Sequence, residues 1–190
     1  MANVDFPSGL SPVRNRNGNA PGITVMDCVT TVLYEGALAF MSTTGLVGLN
    51  LSSVLSAVQA KKIVGVFANS KAAGAVGADG SISKIRVYSD PDQEYIGQFD
   101  DATAGAITSS IGRIFPVVGV AAGNSTTLRS IMELDASAGG VVSVVTSVNC
   151  SLLQVLAVSK EIGNDLNSAN ARVICKLVPQ AHMHRNGLAI

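Results

Sequence analysis

The feature that most constrains this chain is a succession of short β-prone runs after residue 22, separated by clusters of Gly, Asn, Asp and Ser. β-branched and aromatic residues favour strands, and the residues of the clusters favour turns. The runs are Thr24–Tyr34, Ala37–Met41, Ile63–Phe67, Ile82–Tyr88, Tyr95–Phe99, Arg113–Val120, Val141–Val148, Leu152–Val158 and Ala171–Leu177. Strands of this length at these intervals predict a mainly β fold, either an antiparallel β-barrel or a jelly-roll-like sandwich.

Several of the runs alternate apolar and polar residues with a period of two. In the run that ends at Tyr88, Ile85 and Val87 fall on one face, and Lys84 and Arg86 fall on the other. Such alternation is typical of a strand with one face against a core and one face in solvent. We therefore expect a single β-rich domain over residues 23–190.

One segment departs from the β pattern. Apolar residues recur at helical spacing within Leu51–Val58, with Asn50 or Ser52 available as a cap. This predicts at most one short helix, and the region Leu46–Ala60 stays open between helix and strand. The Gly- and Ala-rich segment Lys71–Gly80 predicts a loop that ends in a turn at Asp79 and Gly80.

Residues 1–22 are rich in Asn, Pro and Gly and predict an extended N-terminal arm. Phe6, Leu10 and Val13 are spaced irregularly, which matches neither a helix nor a strand. Two interpretations remain open, a floppy terminus and an arm laid on another subunit. In the second, Phe6 and Leu10 act as apolar anchors, and Arg14 and Arg16 act as charged clamps.

Charged residues make up 14% of the chain and apolar residues 47%, whereas charged residues form about 25% of an average soluble protein. A neighbouring subunit can cover the apolar surface of such a chain, so we expect an oligomer or a lattice component. A compact monomer built from Ala, Gly and Val is the alternative. The 13 basic and 13 acidic residues balance, without a basic stripe, which argues against a nucleic-acid partner.

The sequence shows few features that indicate where in the cell the protein is located. The N-terminus has neither the basic nor the apolar region of a secretory signal, and no run approaches the ~18 apolar residues of a membrane span. Cys28, Cys150 and Cys175 are far apart and are interpreted as buried apolar residues in a reducing compartment. We expect synthesis in a cytoplasm and no membrane partner.

Asp90, Asp92 and Glu94 alternate along the chain and would share one face of an extended segment. Three such carboxylates suggest a Ca²⁺ site or an acid/base pair. Too few oxygens are present for Ca²⁺, and Pro91 marks the start of a strand. We favour a solvated strand entrance or a partner for basic groups across a subunit boundary.

Other motifs do not assemble an active site. The glycines in Lys71–Gly80 match neither a dinucleotide fingerprint nor a phosphate-binding loop. His182 and His184, with Cys175 nearby, fall short of a zinc ligand set, and no nucleophile elbow is present. The sequence predicts no catalytic, metal or cofactor residue, and we expect a protein that is not an enzyme.

An ordered set of short motifs resembles the small head decoration (cement) proteins of tailed bacteriophages. The opening resembles theirs from Asn3 to Val13, followed by Asn17 and Gly18. Other similar segments follow in the same order, and they are Ile63–Phe67, Val87–Tyr95, Gly123–Thr127, Ser130–Asp135, Leu153–Val158 and Ala171–Leu177. Two places depart from the pattern, the more apolar Leu46–Ala60 region and Arg129 with Ser130, where a Gly-Ser pair is expected.

The resemblance implies a β-barrel or jelly-roll-like domain that forms a dimer or trimer at local symmetry axes of a phage head. It also implies an extended arm touching the major capsid protein, and a place on the capsid exterior in the virion. The expected role is to bind the outer surface and stabilise the lattice against internal DNA pressure. Contacts to capsid or subunit are predicted for Phe6, Leu10, Val13, Arg14, Arg16, Asp90, Asp92 and Glu94. Alternatives are another virion component, such as a minor head or tail protein, and a small-ligand-binding β-barrel.

Overall fold

The computed structural model describes residues 3, 7–15, 18, 20–49, 62–74, 83–100, 108–120, 122–137, 152–165, 169–179 and 183. In chain order the strands are β1 (Ser11–Asn15), β2 (Ile23–Asp27), β3 (Leu38–Met41), β4 (Val47–Gly48), β5 (Ile63–Phe67), β6 (Lys84–Tyr88), β7 (Gln93–Gln98), β8 (Ile114–Phe115), β9 (Val117–Val118), β10 (Gly123–Asn124), β11 (Arg129–Ser130), β12 (Glu133–Leu134), β13 (Leu153–Val158) and β14 (Arg172–Leu177). A 3₁₀ turn at Thr108–Ser110 is the only helical element with named bounds within these described ranges.

The strands form two five-stranded sheets. The first sheet has the order β1-β7-β14-β13-β8, and the second sheet has the order β2-β6-β5-β3-β4. All of their neighbouring strands are antiparallel. Two short ribbons, β10-β11 and β12-β9, complete the described structure. The prediction of a mainly β, antiparallel architecture is confirmed.

The arrangement is a sandwich, and the closed barrel that was predicted beside it is wrong. The strands pair into two separate five-stranded sheets, and the chain passes from the second sheet to the first between Tyr88 and Gln93. Each sheet ends in a strand only two residues long, β4 or β8. Such short ends offer too few ladder hydrogen bonds to close a barrel. The second sheet does curl, since Cys28 bridges Val47 of β4.

The predicted runs and the observed strands agree best where the alternation is clear. Strand β6 is exposed and buried in turn, with Ile85 and Val87 inside, as predicted. The run Arg113–Val120 is divided into β8 and β9 by Pro116, which has no N–H for a ladder. The predicted helix at Leu51–Val58 and the predicted strand Val141–Val148 lie outside the described residues.

The main core lies between the sheets. It joins Leu38 and Ile63 of the second sheet with Tyr95 and Cys175 of the first. Phe99 and Phe115 meet edge to face in this core, with ring centroids 4.9 Å apart. Burying a large apolar side chain contributes about 1.5–3 kcal/mol, so this layer holds the two sheets together.

A second core covers the other face of the second sheet. Val64 and Phe67 of β5 lie in it, beside Val87 of β6 and Leu33. Strand β5 is therefore buried on both faces, and all five of its residues are buried. Gly65 within it has φ of +148°, and a Cβ there would lie 2.1 Å from the carbonyl oxygen of Tyr88. Only glycine fits where these two backbones approach so closely.

The N-terminal segment is tied to the domain. Strand β1 pairs with β7, and Leu10 just before it is 2% exposed in the main core. A register shift between Pro12 and Arg14 shows that Val13 sits at a β-bulge. This bulge explains the irregular apolar spacing that had predicted neither helix nor strand, because one inserted residue breaks the period of two. Residues 11–15 therefore belong to the first sheet.

The side chain of Asn3, near the start of the chain, makes hydrogen bonds to the backbone of the loop between β13 and β14. The Nδ2 of Asn3 donates to the carbonyl oxygens of Asp165, at 2.8 Å, and Ala169, at 2.9 Å. Its Oδ1 accepts the N–H of Asp165 at 2.7 Å. These bonds fasten the N-terminus to the loop between β13 and β14.

Candidate protein-binding surface

The predicted contact residues that the structure describes gather at one edge of the sandwich, apart from Leu10. The connection from Tyr88 to Gln93 carries the chain between the sheets, and β1 and β2 flank it. Asn15 of β1 pairs with Gln93, and Ile23 of β2 pairs with Tyr88. We call this region the edge corner, and its residues are Val13, Arg14, Ile23, Val25 and residues 88–94.

Hydrogen bonds fold the acidic part of the edge corner into a turn. Asp90 accepts the N–H of Asp92 on its Oδ1 at 2.8 Å, and its carbonyl oxygen accepts the N–H of Gln93 at 3.1 Å. An Asp side chain that binds the backbone two residues on is typical of a turn. Asp90 and Asp92 therefore precede β7, and Glu94 lies within it.

This turn corrects the expectation that three carboxylates share one face of an extended segment. The backbone becomes extended only at Gln93, where β7 begins, so the period of two does not reach back to Asp90. In the described ranges there is no group of three or more His, Cys, Asp or Glu residues placed to hold a metal ion.

The buried glutamine of the edge corner joins β1 to β7 in the first sheet. Gln93 is 1% exposed, and its Nε2 donates to the carbonyl oxygens of Arg14, at 2.9 Å, and Glu94, at 2.7 Å. The hydroxyl of Tyr95 donates to the carbonyl oxygen of Tyr88 at 3.3 Å. Burial raises the pKa of Tyr95 well above its usual value, so this phenol stays protonated as a donor. The edge corner thus has a fixed backbone.

Arg14 and Glu94 form an ion pair within the chain. Nε of Arg14 lies 3.2 Å from Oε2 of Glu94, and the arginine side chain is 65% exposed while the glutamate side chain is 12% exposed. A pair this exposed contributes less than about 1 kcal/mol to folding. Most of the guanidinium surface therefore stays available to another protein.

Apolar side chains are also exposed on the two strands of the edge corner, β1 and β2. Ile23 is 51% exposed, Val25 is 58% exposed and Val13 is 38% exposed. The sequence analysis named Val13 as a contact residue but not Ile23 and Val25, because it treated Thr24–Tyr34 only as a β-prone run. The alternation of Ile23 and Val25 with Thr24 was the available signal. Apolar side chains clustered at a rim of charges are typical of contact with another macromolecule.

The remaining predicted contact residues are placed differently. Leu10 is 2% exposed, so its side chain packs in the chain's own core and is not available as an anchor on another subunit. The backbones at Gly9 and Gly36 lie in close contact, and Leu10 donates its N–H to the carbonyl oxygen of Gly36 at 2.9 Å. Phe6 and Arg16 lie outside the described residues.

The prediction that the cysteines are buried is confirmed for the two cysteines that the structure describes. Cys28 and Cys175 are buried and free. Burial raises the pKa of the Cys175 thiol to about 12. Burial also raises the pKa of Cys28, whose Sγ donates to the carbonyl oxygen of Ser83 at 3.2 Å. Cys150, His182 and His184 lie outside the described residues.

The sequence analysis did not predict that Lys71 is buried. Lys71 was predicted to open a loop, but it bridges Leu33 and is only 9% exposed. Its Nζ donates to the carbonyl oxygens of Val29, at 3.1 Å, and Thr31, at 3.4 Å. The ammonium group therefore ties the segment after β2 to residue 71.

Several of the segments behind the resemblance form described local structures, as Ile63–Phe67 does in β5. Gly123–Thr127 contains β10 and its turn, in which Asn124 Oδ1 accepts the N–H groups of Thr126 and Thr127, each at 2.9 Å. The final pair of segments forms the antiparallel β13 and β14.

No helix in the described part of the chain is long and apolar enough to cross a membrane.

No protein-family model, curated protein or solved structure matches this chain at a significant level.

Proposed function

We propose that this protein is a structural component of a tailed-phage virion that binds the outer surface of the capsid and stabilises its lattice. The observation that carries the proposal is the edge corner, which combines the exposed apolar Ile23 and Val25 of β2 with the ion pair of Arg14 and Glu94 between β1 and β7. A rigid apolar patch with a charged rim has the composition of a protein-binding surface. The ordered resemblance to head decoration proteins supports the capsid as the partner.

The physical task in this proposal is mechanical. Packed DNA pushes a capsid outward, so a protein that bridges coat subunits opposes their separation without chemistry. A stable contact of this kind buries about 1,200–2,000 Å², and contacts to several subunits at once raise the effective concentration of each. A homo-oligomer, dimer or trimer, would match the local symmetry of the lattice.

The test is binding to capsids of the parent phage that lack this protein. Deleting the first residues would remove β1 and core residue Leu10, so a point substitution is the sharper tool. We expect Arg14→Glu to weaken binding about tenfold, since a reversed charge at a contact costs on the order of 1.4 kcal/mol. Lys160→Glu is the matched control, because Lys160 is also exposed but follows β13 at the opposite end of the first sheet.

Saturable binding of the unaltered chain, weakened by Arg14→Glu and unchanged by Lys160→Glu, supports the proposal. A chain that never binds capsids would overturn it. Copy number in purified virions separates the alternatives, since many copies per particle indicate decoration and a small ring indicates a minor head or tail component.

A further inference from the structure

The outer edges of the two five-stranded sheets differ in how well they are protected from pairing with another chain. An open edge invites pairing, and proteins block it with short strands, Pro, bulges and charges. Strand β1 contains Pro12, a bulge and Arg14. Strands β4 and β8 are only two residues long, and Cys28 bridges β4 on its outer side.

Strand β2, the remaining edge, has none of these protections between Ile23 and Met26. It is five residues long, pairs with β6 in unbroken register and contains neither Pro nor a basic residue. Its apolar side chains Ile23 and Val25 are each more than half exposed. This is the form of an edge that pairs with another strand.

The direction of the free backbone groups follows from the existing ladder. Cys28 donates its N–H to Ser83 at 2.8 Å, toward β6. Because residues of an antiparallel strand alternate in the side to which both backbone groups point, Met26 and Thr24 also point toward β6. Ile23 and Val25 then point their N–H and C=O groups outward, away from the sheet.

We propose that β2 pairs antiparallel with β2 of a second copy of this chain, about a two-fold axis at Thr24. In this register Ile23 of each copy lies opposite Val25 of the other, and the two Thr24 residues face each other. The outward groups of Ile23 and Val25 form the new ladder, and the two second sheets become one continuous sheet.

This register is self-complementary. Each exposed Ile23 packs beside an exposed Val25 of the other copy. Like charges that face each other would destabilise such a pairing, and residues 23–25 contain no charged residue. Centring the axis on Val25 instead would bring Ile23 opposite Asp27, next to Cys28 and its bridge to Val47. The crowded end of β2 therefore favours the axis at Thr24.

The self-contact deepens the proposed function by naming how copies join, as a dimer. It uses Ile23 and Val25 of the edge corner, so Val13 and Arg14 on β1 are the part of that surface assigned to the coat. It does not rest on capsid binding, because the contact lies between copies of the chain and is tested in solution without capsids. On a lattice the same contact would link neighbouring copies, where their spacing raises the effective concentration.

The first test is disulfide trapping of the full-length protein. Residues at a non-hydrogen-bonded antiparallel pair have Cα atoms about 4.5 Å apart, within the range for a disulfide. We expect Thr24→Cys to form a covalent dimer at least about tenfold faster than Ile162→Cys, since pairing raises the effective concentration. Ile162 is fully exposed in the loop after β13 and reports random collision. The unaltered chain under the same oxidant reports the background of its own cysteines.

The second test fixes the register and the mass. Mixing Ile23→Cys with Val25→Cys should give a mixed disulfide faster than either variant alone. In sedimentation the unaltered chain should approach twice the 19.4 kDa of one chain, and Val25→Lys should stay at the mass of one chain. Ile162→Lys should behave like the unaltered chain.

Equal trapping rates for Thr24→Cys and Ile162→Cys would overturn the proposal, and so would a trimer whose mass Val25→Lys leaves unchanged. If the chain stays monomeric while Val25→Lys abolishes binding to capsids, the edge belongs to a coat-protein strand and the self-pairing is wrong. If the chain dimerises through β2 but never binds capsids, the self-pairing stands and the proposed virion function fails.

Discussion

Strands β5 and β2 belong to the same sheet and are both five residues long, yet they occupy opposite environments. Every residue of β5 is buried, whereas β2 has four exposed residues and one of intermediate exposure. Only β6 separates them. The comparison teaches that position in the sheet, more than hydrophobicity, divides this molecule into a part that holds the fold and a part that is available to other proteins.

The largest effect is expected from shortening a side chain of β5. Phe67 is fully buried in the second core, so Phe67→Ala should lower the free energy of unfolding by about 3–5 kcal/mol through lost burial and a cavity. Urea denaturation followed by circular dichroism measures this change. A loss below about 1 kcal/mol would show that the second core does not stabilise the fold.

A pH series extends the comparison to the buried face of the first sheet. Burial raises the pKa of Cys175 from 9.0 to about 12, so the folded thiol keeps its proton while the unfolded thiol loses it. The folded state then binds more protons between these values, and stability falls as pH rises. The contribution is complete below pH 9 and is lost toward pH 12, with a total on the order of 4 kcal/mol.

Urea unfolding at a series of pH values from 7 to 11 measures this loss. Cys175→Val removes the titrating group at similar volume, so its stability should fall less steeply above pH 9 than that of the unaltered chain. Tyr95, whose pKa burial also raises, remains in both proteins and acts in the same direction. Identical slopes for the two proteins would contradict the assignment to Cys175.

The half-buried Asn164 should give an effect between those of a buried and an exposed residue. Asn164 donates to the carbonyl oxygens of Ser159 and Arg172 and accepts the N–H of Arg172, each at 2.8 Å. Asn164→Ala should cost about 1–3 kcal/mol, because these backbone groups lose their partner. Asn164→Asp keeps the acceptor but turns a carboxylate oxygen toward the two carbonyl oxygens, so it should cost at least as much as Asn164→Ala, as thermal unfolding would reveal. A much smaller loss for Asn164→Asp would show that the donated bonds contribute little.

The smallest effect is expected at the exposed strand. Val25 is 58% exposed, so Val25→Ala should change the free energy of unfolding by no more than about 0.5 kcal/mol. The measurement is urea denaturation at a protein concentration where the chain is monomeric. A loss comparable with that of Phe67→Ala would erase the comparison between β2 and β5.

Local patterns predicted the strands with clear signals. The alternation before Tyr88 placed Ile85 and Val87 inside, and the unbroken apolar run Ile63–Phe67 became the strand buried on both faces. Strand β1 was missed because the bulge at Val13 disrupts the period of two. Ribbons such as β9 with β12 pair only two residues on each strand, too few for a pattern to form.

The candidate surface was predicted in part. Val13, Arg14 and the acidic segment from Asp90 to Glu94 were named from the sequence, and the structure brings them together because β1 pairs with β7. Their grouping, and the inclusion of Ile23, depends on which strands lie side by side. Leu10 was named as a contact but is buried, since apolar character alone does not separate a core residue from an anchor.

Local sequence patterns were enough to predict antiparallel strands, the core-facing residues of the clearest strands and the burial of the described cysteines. These properties follow from alternation and composition, which act over a few residues. The tertiary structure was needed to show that the sheets stay open, that β2 is an unprotected edge between Ile23 and Met26, and that Glu94 of the acidic segment pairs with Arg14 of β1. These depend on pairings between segments far apart in the chain, whose order in a sheet is set by the packing of the whole core.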